Sequence, residues 1–402
     1  MKTFLIKTGK AVSTLKQEGL FRGGKRVAKA FWAQFGRVRP GDILFVTNGV
    51  GDSARYRAHH QAEELECQGF KCSVTIQDNP FLARYAEKFK IFVFHRTLHT
   101  PLVAKLIENI KKRQGVILFE TDDLVFDIKY LAHMDYYQKM NALEKKLYEN
   151  GVGGEILRDP YVKTCVTATE YLAKILKTYG KDVLVSKNKL CKHDLEIAEK
   201  FLEKGTGSRD GFLRLAYFSG TKSHDKDFAT IEDALAKILE KYPKTKLFLA
   251  GPLDISRKFQ RYEDRVERFV FAPRDEHFGN IAKVDINLAP LEKDNPFCES
   301  KSELKWFEAG ILGVPTVAVS NQTFSEAIED GADGFLAGTT DEWVAKIEKL
   351  IENADLRKKM GQKAREKILR DYTTVNGHNE EYYGYLRNVI ARSETTKQSH
   401  RS

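Results

Sequence analysis

Several things are scarce in this sequence, and each shortage closes off a class of protein. Five cysteines (Cys67, Cys72, Cys165, Cys191 and Cys298) occur in 402 residues, an odd number, with no CxxC pair and no histidine at ligand spacing. That excludes a disulfide framework and a structural zinc site, and leaves free thiols. No apolar run approaches the roughly 18 residues a membrane-spanning helix needs. The Met-Lys start lacks the continuous apolar segment of a signal peptide, so the expected location is the cytoplasm. The loop Gly49-Val50-Gly51-Asp52-Ser53 stops short of the GxGxxG fingerprint, and no dinucleotide cofactor is read from it. Basic residues are not interleaved with a recognisable nucleic-acid module, which sets that partner aside.

What is present describes a folded, two-domain protein: 42% hydrophobic and 30% charged residues in a chain long enough for two full cores. The net charge of +10 is concentrated at one end. Residues 1–39 hold ten Lys/Arg against the single Glu18, a local excess of +9, so the rest is nearly balanced. Helical patterns over 4–17 and 24–35, the second with Val27, Phe31 and Phe35 at i, i+4 and i+8, make this arm a basic amphipathic segment. Such a segment suits an anionic membrane surface.

From residue 40 the pattern alternates strand and helix. Strands are expected over 42–48, 72–76, 91–94, 116–119, 161–166 and 182–186, with helices over 54–68, 80–88, 101–112, 131–149, 170–179 and 192–204. The glycine-rich stretch 205–211 reads as a linker. A second alternating unit has strands over 213–218, 246–250, 269–271, 284–288 and 315–319, an edge strand within 331–337, and helices over 228–241, 301–309, 324–329, 341–351 and 355–370. The implied division is an arm (1–39), a first domain (40–204), a second domain (212–371), a crossover helix (372–390) and a polar tail (391–402). The expected class is α/β, two Rossmann-like doubly wound domains facing across a crevice, with ligands beyond the carboxyl ends of the strands.

Those ends carry polar groups. In the first domain they are Gly49, Gly51, Ser53, Arg55 and Arg57, then His95 and Arg96, then Glu120, Asp122 and Asp123. A strand-end histidine fits a hydrogen-bonded structural role as well as a substrate contact, and the adjacent acids fit a solvated strand end better than a metal cluster. In the second domain the densest stretch is 295–320. Lys301, Lys305 and Glu308, spaced i, i+4 and i+7, share a face if 301–309 is one helix, and Ser300 and Ser302 stand at its start, where free N–H groups favour a phosphate. Lys305 also fits a plain ion pair with Glu303 or Glu308.

These motifs resemble the nucleotide-sugar half of GT-B glycosyltransferases, group 1 or family 4 type. The matching residues are the loop S-G-T-K after a strand (219–222), G-P-L (251–253), D-I-N-L-A-P-L (285–291) and K-S-E-L-K-W-F-E-A-G-I-L-G-V-P-T-V-A-V-S (301–320). The resemblance implies transfer of a hexose or deoxyhexose from a nucleotide diphosphate sugar to a saccharide or lipid-linked saccharide in cell-surface polysaccharide or glycolipid assembly, with retention. No metal is implied. By match, the second acid of the family's E-x7-E motif is Glu308, against the donor ribose. The first falls on Ser300, a departure that leaves Glu299, Ser300 and Glu303 as candidates. Lys301 and Ser302 match the diphosphate-binding turn. Gly220, Thr221 and Lys222 match the first phosphate loop, with His224 and Lys226 as alternates. The resemblance assigns acceptor binding to Gly49, Gly51, Ser53, Arg55, Arg57 and Arg96, and chemistry to Asp122, Asp123, His95, Lys222 and Glu299. A nucleotide-sugar hydrolase or epimerase, or a non-catalytic saccharide-binding protein at a membrane, remains the alternative.

Overall fold

A computed structural model describes residues 23–25, 27–134, 137–138, 140–146, 148–208, 210–220 and 225–399. The helix expected over 4–17 lies outside these, as do Thr221, Lys222 and His224. The chain forms two compact units. The first comprises 1–132, 137–188 and 379–402, and the second 133–136 and 189–378.

The first unit is built on six parallel strands: β1 (Ile43–Thr47), β2 (Cys72–Ile76), β3 (Ile91–His95), β4 (Val116–Thr121), β5 (Thr164–Thr167) and β6 (Asp182–Val185), ordered β2-β1-β3-β4-β5-β6. All residues of β1 and β3 are buried, which is why they are continuous apolar runs: helices cover both faces of a parallel sheet. Helix Pro101–Lys112 starts where the sequence announces it, at a Thr100 cap accepting from Val103 N with proline in its first turn. The last helix, Glu380–Ser399, belongs to this unit and adds Tyr382, Tyr383 and Leu386 to its core.

The second unit repeats the plan with β7 (Leu213–Phe218), β8 (Thr245–Ala250), β9 (Val266–Phe269), β10 (Ile286–Ala289), β11 (Thr316–Val319) and β12 (Phe335–Ala337), all parallel and ordered β12-β11-β10-β7-β8-β9. Strand direction of travel reverses between β1 and β3 in one unit and between β7 and β10 in the other. These are the switch points where a doubly wound sheet opens a crevice at its carboxyl edge. Two glycines shape the second unit. Gly251, at φ +94°, lies where a Cβ would fall 1.9 Å from the Ser219 carbonyl oxygen, so the loops after β7 and β8 lie against one another. A Cβ on Gly361 would fall 1.8 Å from the Gly313 carbonyl oxygen, so helix Ala354–Asp371 presses on the Gly-Val-Pro turn that feeds β11.

Four expectations change. The single helix over 131–149 is interrupted: the described residues are helical at 128–131, 137–138 and 142–146 and non-helical at 132–134 and 140–141. The helix over 228–241 is two, Asp225–Ala229 and Glu232–Lys241. The helix over 301–309 starts late, as Leu304–Gly310, because Glu303 takes the non-helical position before it, and a separate short helix capped by Asn295, Pro296–Glu299, precedes it. Finally, the chain leaves the first unit after Asn188, so helix Lys192–Lys204 packs in the second unit, ahead of the glycine-rich stretch read as a linker.

Candidate functional site

The carboxyl edge of the first sheet gathers side chains from three strand ends. Ser53 follows β1, His95 ends β3, and Asp122 follows β4. The Ser53 hydroxyl is 2.8 Å from Asp122 Oδ2 and 3.0 Å from His95 Nε2, and His95 Nε2 is 3.3 Å from Asp122 Oδ1. Arg96 donates to both neighbouring acids, Nε to Asp122 Oδ1 at 2.6 Å and Nη2 to Asp123 Oδ2 at 3.0 Å. Arg96 takes a left-handed backbone (φ +45°), which costs about 1 kcal/mol or more in a non-glycine residue and is held here by the two carboxylates. Burial alone would raise the Asp122 carboxyl, but Arg96, the His95 hydrogen bond and Arg57 together hold it well below the usual range, so it is ionised. The arrangement is not a nucleophile relay. Serine and aspartate both sit on Nε2, and among the described residues His95 Nδ1 is buried without a partner, so none of their acids orients the ring from behind.

Two residues expected to face an acceptor do other things. Arg57 is fully buried on a π-helical turn, Arg55–His60, donating from Nε to Glu120 Oε1 at 2.6 Å and from Nη1 to Ser186 O and Asn188 Oδ1. It ties β4 to the end of β6 and cannot reach a ligand. Burial pushes the Glu120 carboxyl up, against the pull of Arg57 and His95. Arg55 pairs with Asp52 one turn back, at 2.7 Å. Gly49 and Gly51 leave open space beside the loop after β1, room in which a ligand can approach the backbone.

In the second unit the switch point is occupied by Lys305. Its Nζ reaches the end of β7 and donates to Phe218 O at 2.6 Å, over the Tyr217 ring. Burial, then the Lys301 charge, brings this amine down to about 8 despite Asp227 and Glu308. Lys301 and Ser302 lie in the non-helical link before helix Leu304–Gly310, partly exposed. Gly220 and Lys226 are exposed on either side of the undescribed loop residues.

Ser300, which stands where the motif's first acid belongs, is fully buried and spends its hydroxyl on Phe297 O at 2.8 Å. It is therefore a helix-end residue, not a donor contact. Glu303 is buried beside Tyr372, whose phenol is pushed up first by burial and then by Glu303, which removes Glu303 from the ligand edge. Glu299 is half-buried, and burial followed by Asp294 pushes its carboxyl up.

Glu308 is buried but not isolated. Oε1 accepts from Arg274 Nη1 and Oε2 lies 3.0 Å from His277 Nε2, while Arg274 is itself gripped through Nε and Nη2 by Asp194 at 2.8 and 2.9 Å. Sequence reasoning missed Arg274, His277 and Asp194. The signal available was the i, i+3 pair Arg274 and His277 opening helix Arg274–Ile281, directly after an expected strand. Above β9, Val270 is 73% exposed and Phe269 stacks on Phe248 at 4.1 Å, an apolar ledge on the same edge.

An α/β chain of two Rossmann-like units, with charged groups at both switch points, has the architecture of GT-B glycosyltransferases. Residues 208–367 match the family model for glycosyl transferases group 1. The second unit is thus a group 1 glycosyltransferase domain, and the chain is a glycosyltransferase. No curated protein sequence matches the chain. Among solved structures it is similar to HepE of Anabaena in complex with UDP (14% identity, 88% of this chain and 100% of that one, TM-score 0.55). It is also similar to a glycosyltransferase from Rickettsia africae (15%, 87% and 99%, TM-score 0.56) and to sucrose-phosphate synthase of Thermosynechococcus elongatus (12%, 89% and 100%, TM-score 0.54). At these identities the likeness speaks for the fold. Among the described residues no helix is long and apolar enough to cross a membrane.

Proposed function

We propose that this protein is a family 4 type hexosyl- or deoxyhexosyltransferase that takes its sugar from a nucleoside diphosphate and passes it, with retention, to a saccharide acceptor. The observation that carries the reading is Lys305, a cation built into the carboxyl end of β7 at the second unit's switch point. A departing nucleoside diphosphate gathers negative charge, and a cation fixed beforehand at that place lowers the barrier. Lys301, Ser302, Gly220, Thr221, Lys222, His224 and Lys226 complete the donor side in this reading, and Glu308 holds the ribose. HepE has been solved with UDP-glucose, which fits such a donor.

The acceptor belongs beside Ser53, His95, Asp122 and Asp123. Asp122, held ionised by its neighbours, accepts a hydrogen bond from a sugar hydroxyl and orients it, while the departing phosphate takes the acceptor's proton. The chemistry asks for no metal. The acceptor is a growing chain of a cell-surface polysaccharide, such as a capsule or O-antigen, or of a glycolipid, free or lipid-linked. The protein works at the cytoplasmic face of an anionic membrane. Support for that location is the charge of residues 1–39 together with three exposed aromatics, Phe31 (52%), Trp32 (68%) and Phe35 (51%), in mutual edge contact. The test is a panel of UDP-, GDP- and dTDP-sugars with nucleoside diphosphate release as the readout. One donor class should be turned over, and a panel in which nothing binds or reacts refutes the reading.

A further inference from the structure

We propose that Arg274 is a positioning residue for the donor: gripped by Asp194, it sets the plane of the Glu308 carboxylate so that the ribose hydroxyls meet it in register. The inference rests on the reading of Glu308 as the ribose acceptor.

Three observations lead to it. A carboxylate on a helix can rotate about its last bond, yet Glu308 has a donor on each oxygen, Arg274 Nη1 on Oε1 and His277 Nε2 at 3.0 Å from Oε2. That fixes the plane in which the carboxylate presents its oxygens. Arg274 is equally fixed. Its Nε and Nη2 form a two-point fork on Asp194 (2.8 and 2.9 Å), and its guanidinium lies 4.5 Å over the Phe278 ring. Asp194 is anchored in turn, 1% exposed in the first turn of helix Lys192–Lys204, where it accepts from Cys191 N. His277 is set edge-on against Phe218, the last residue of β7. A chain of fixed groups therefore runs from one helix start, through a second, to the acid on a third.

The fork on Asp194 satisfies further donors of the largely buried guanidinium and at the same time holds its plane. The fork on Asp194 is what an aiming device needs, because lysine offers the same charge without the plane.

The experiment uses the full chain. The nucleoside diphosphate that binds best in the donor panel, and its 3′-deoxy counterpart, are titrated calorimetrically into wild type, Arg274→Lys, Arg274→Gln and Asp194→Asn, with inorganic pyrophosphate as a probe of the phosphate end. Wild type should prefer the 3′-hydroxyl by about tenfold, the worth of one hydrogen bond to a charged acceptor. The three variants should lose most of that preference while binding pyrophosphate as before. Arg274→Lys retains the charge and guards against reading an unfolded protein, and thermal unfolding is measured beside each titration. Equal weakening of both nucleotides overturns the aiming role and makes Arg274 a structural partner only. A wild type with no preference for the 3′-hydroxyl overturns the ribose role of Glu308, and this proposal with it.

Discussion

Donor binding should take up a proton near pH 8, and the group that takes it is Lys305. An ordinary lysine titrates at 10.5, but Lys305 is brought down to about 8, first by burial and then by Lys301. Holding it charged in that setting costs about 3 kcal/mol relative to water. A diphosphate placed beside the amine returns the missing counter-charge, so its pKa rises on binding. The sign follows. Below pH 8 the amine is already protonated and affinity does not depend on it; above pH 8 affinity falls by up to about tenfold per unit, until the pKa of the bound state is passed. At pH 8 about half the free protein is neutral at this position, so about half a proton is bound per nucleotide. The nucleotide's own terminal phosphate, with a pKa of about 6, has finished titrating there. Calorimetry in two buffers of different ionisation heat reads that uptake directly.

The same shift has a consequence without ligand. The unfolded chain keeps the Lys305 proton up to 10.5 and the folded one releases it near 8, so this residue's penalty is full below pH 8 and is relieved between 8 and 10.5. Lys305→Met should therefore be at least as stable as wild type at pH 7, bind the diphosphate more weakly, and show neither the proton uptake nor the loss of affinity above pH 8. Wild type with no uptake at pH 8, or a methionine variant with an unchanged pH profile, refutes the assignment.

Arg57→Leu should cost about 3–5 kcal/mol in denaturant unfolding, because it strands the buried Glu120 carboxyl along with the Ser186 carbonyl. The loss should be greatest above neutral pH, since burial already favours protonated Glu120. Gly361→Ala should cost about 1–3 kcal/mol, its methyl falling 1.8 Å from the Gly313 carbonyl oxygen, and a Tm equal to wild type would contradict that approach. Trp32 is exposed while Trp306 and Trp343 are 0% and 4% exposed, so a blue shift of tryptophan emission on vesicles of mixed neutral and anionic lipid reports insertion at Trp32. Trp32→Ala with Phe31→Ala and Phe35→Ala should abolish vesicle binding and leave turnover of a soluble acceptor intact.

Where the sequence is legible, the reason is local. The strand at Cys72–Ile76 and the helices at Pro101–Lys112 and Lys192–Lys204 lie where pattern and punctuation place them, because an apolar run between polar turns, a Thr-Pro start or a glycine stop needs no distant partner. Ser53, His95, Arg96 and Asp122 were also legible as strand-end residues, and their convergence follows from strand order, which puts β1, β3 and β4 side by side. What failed depends on tertiary partners. Residues 131–149 satisfy helical spacing, yet propensity does not hold a helix that the packing interrupts. Charge types at the right place did not reveal burial, so Arg57 and Ser300 read as ligand contacts although both are enclosed.

The departure at position 300 takes on a different meaning in the folded unit. With serine there, the site would lack an acid only if the rest of the edge were built as the motif implies, and it is not. The helix is broken at 301–303, which brings Lys305 rather than Lys301 to the end of β7. Glu308, reached by Arg274 and His277 from a separate helix, has acquired a rigid frame of its own. A second acid at position 300 would have to occupy a fully buried point where the side chain now bonds to Phe297 O, with a desolvation cost of several kcal/mol. Serine there is thus consistent with a working donor edge whose positive charge comes from inside helix Leu304–Gly310, and the altered motif by itself gives no ground for reading the protein as a decayed, non-catalytic relative.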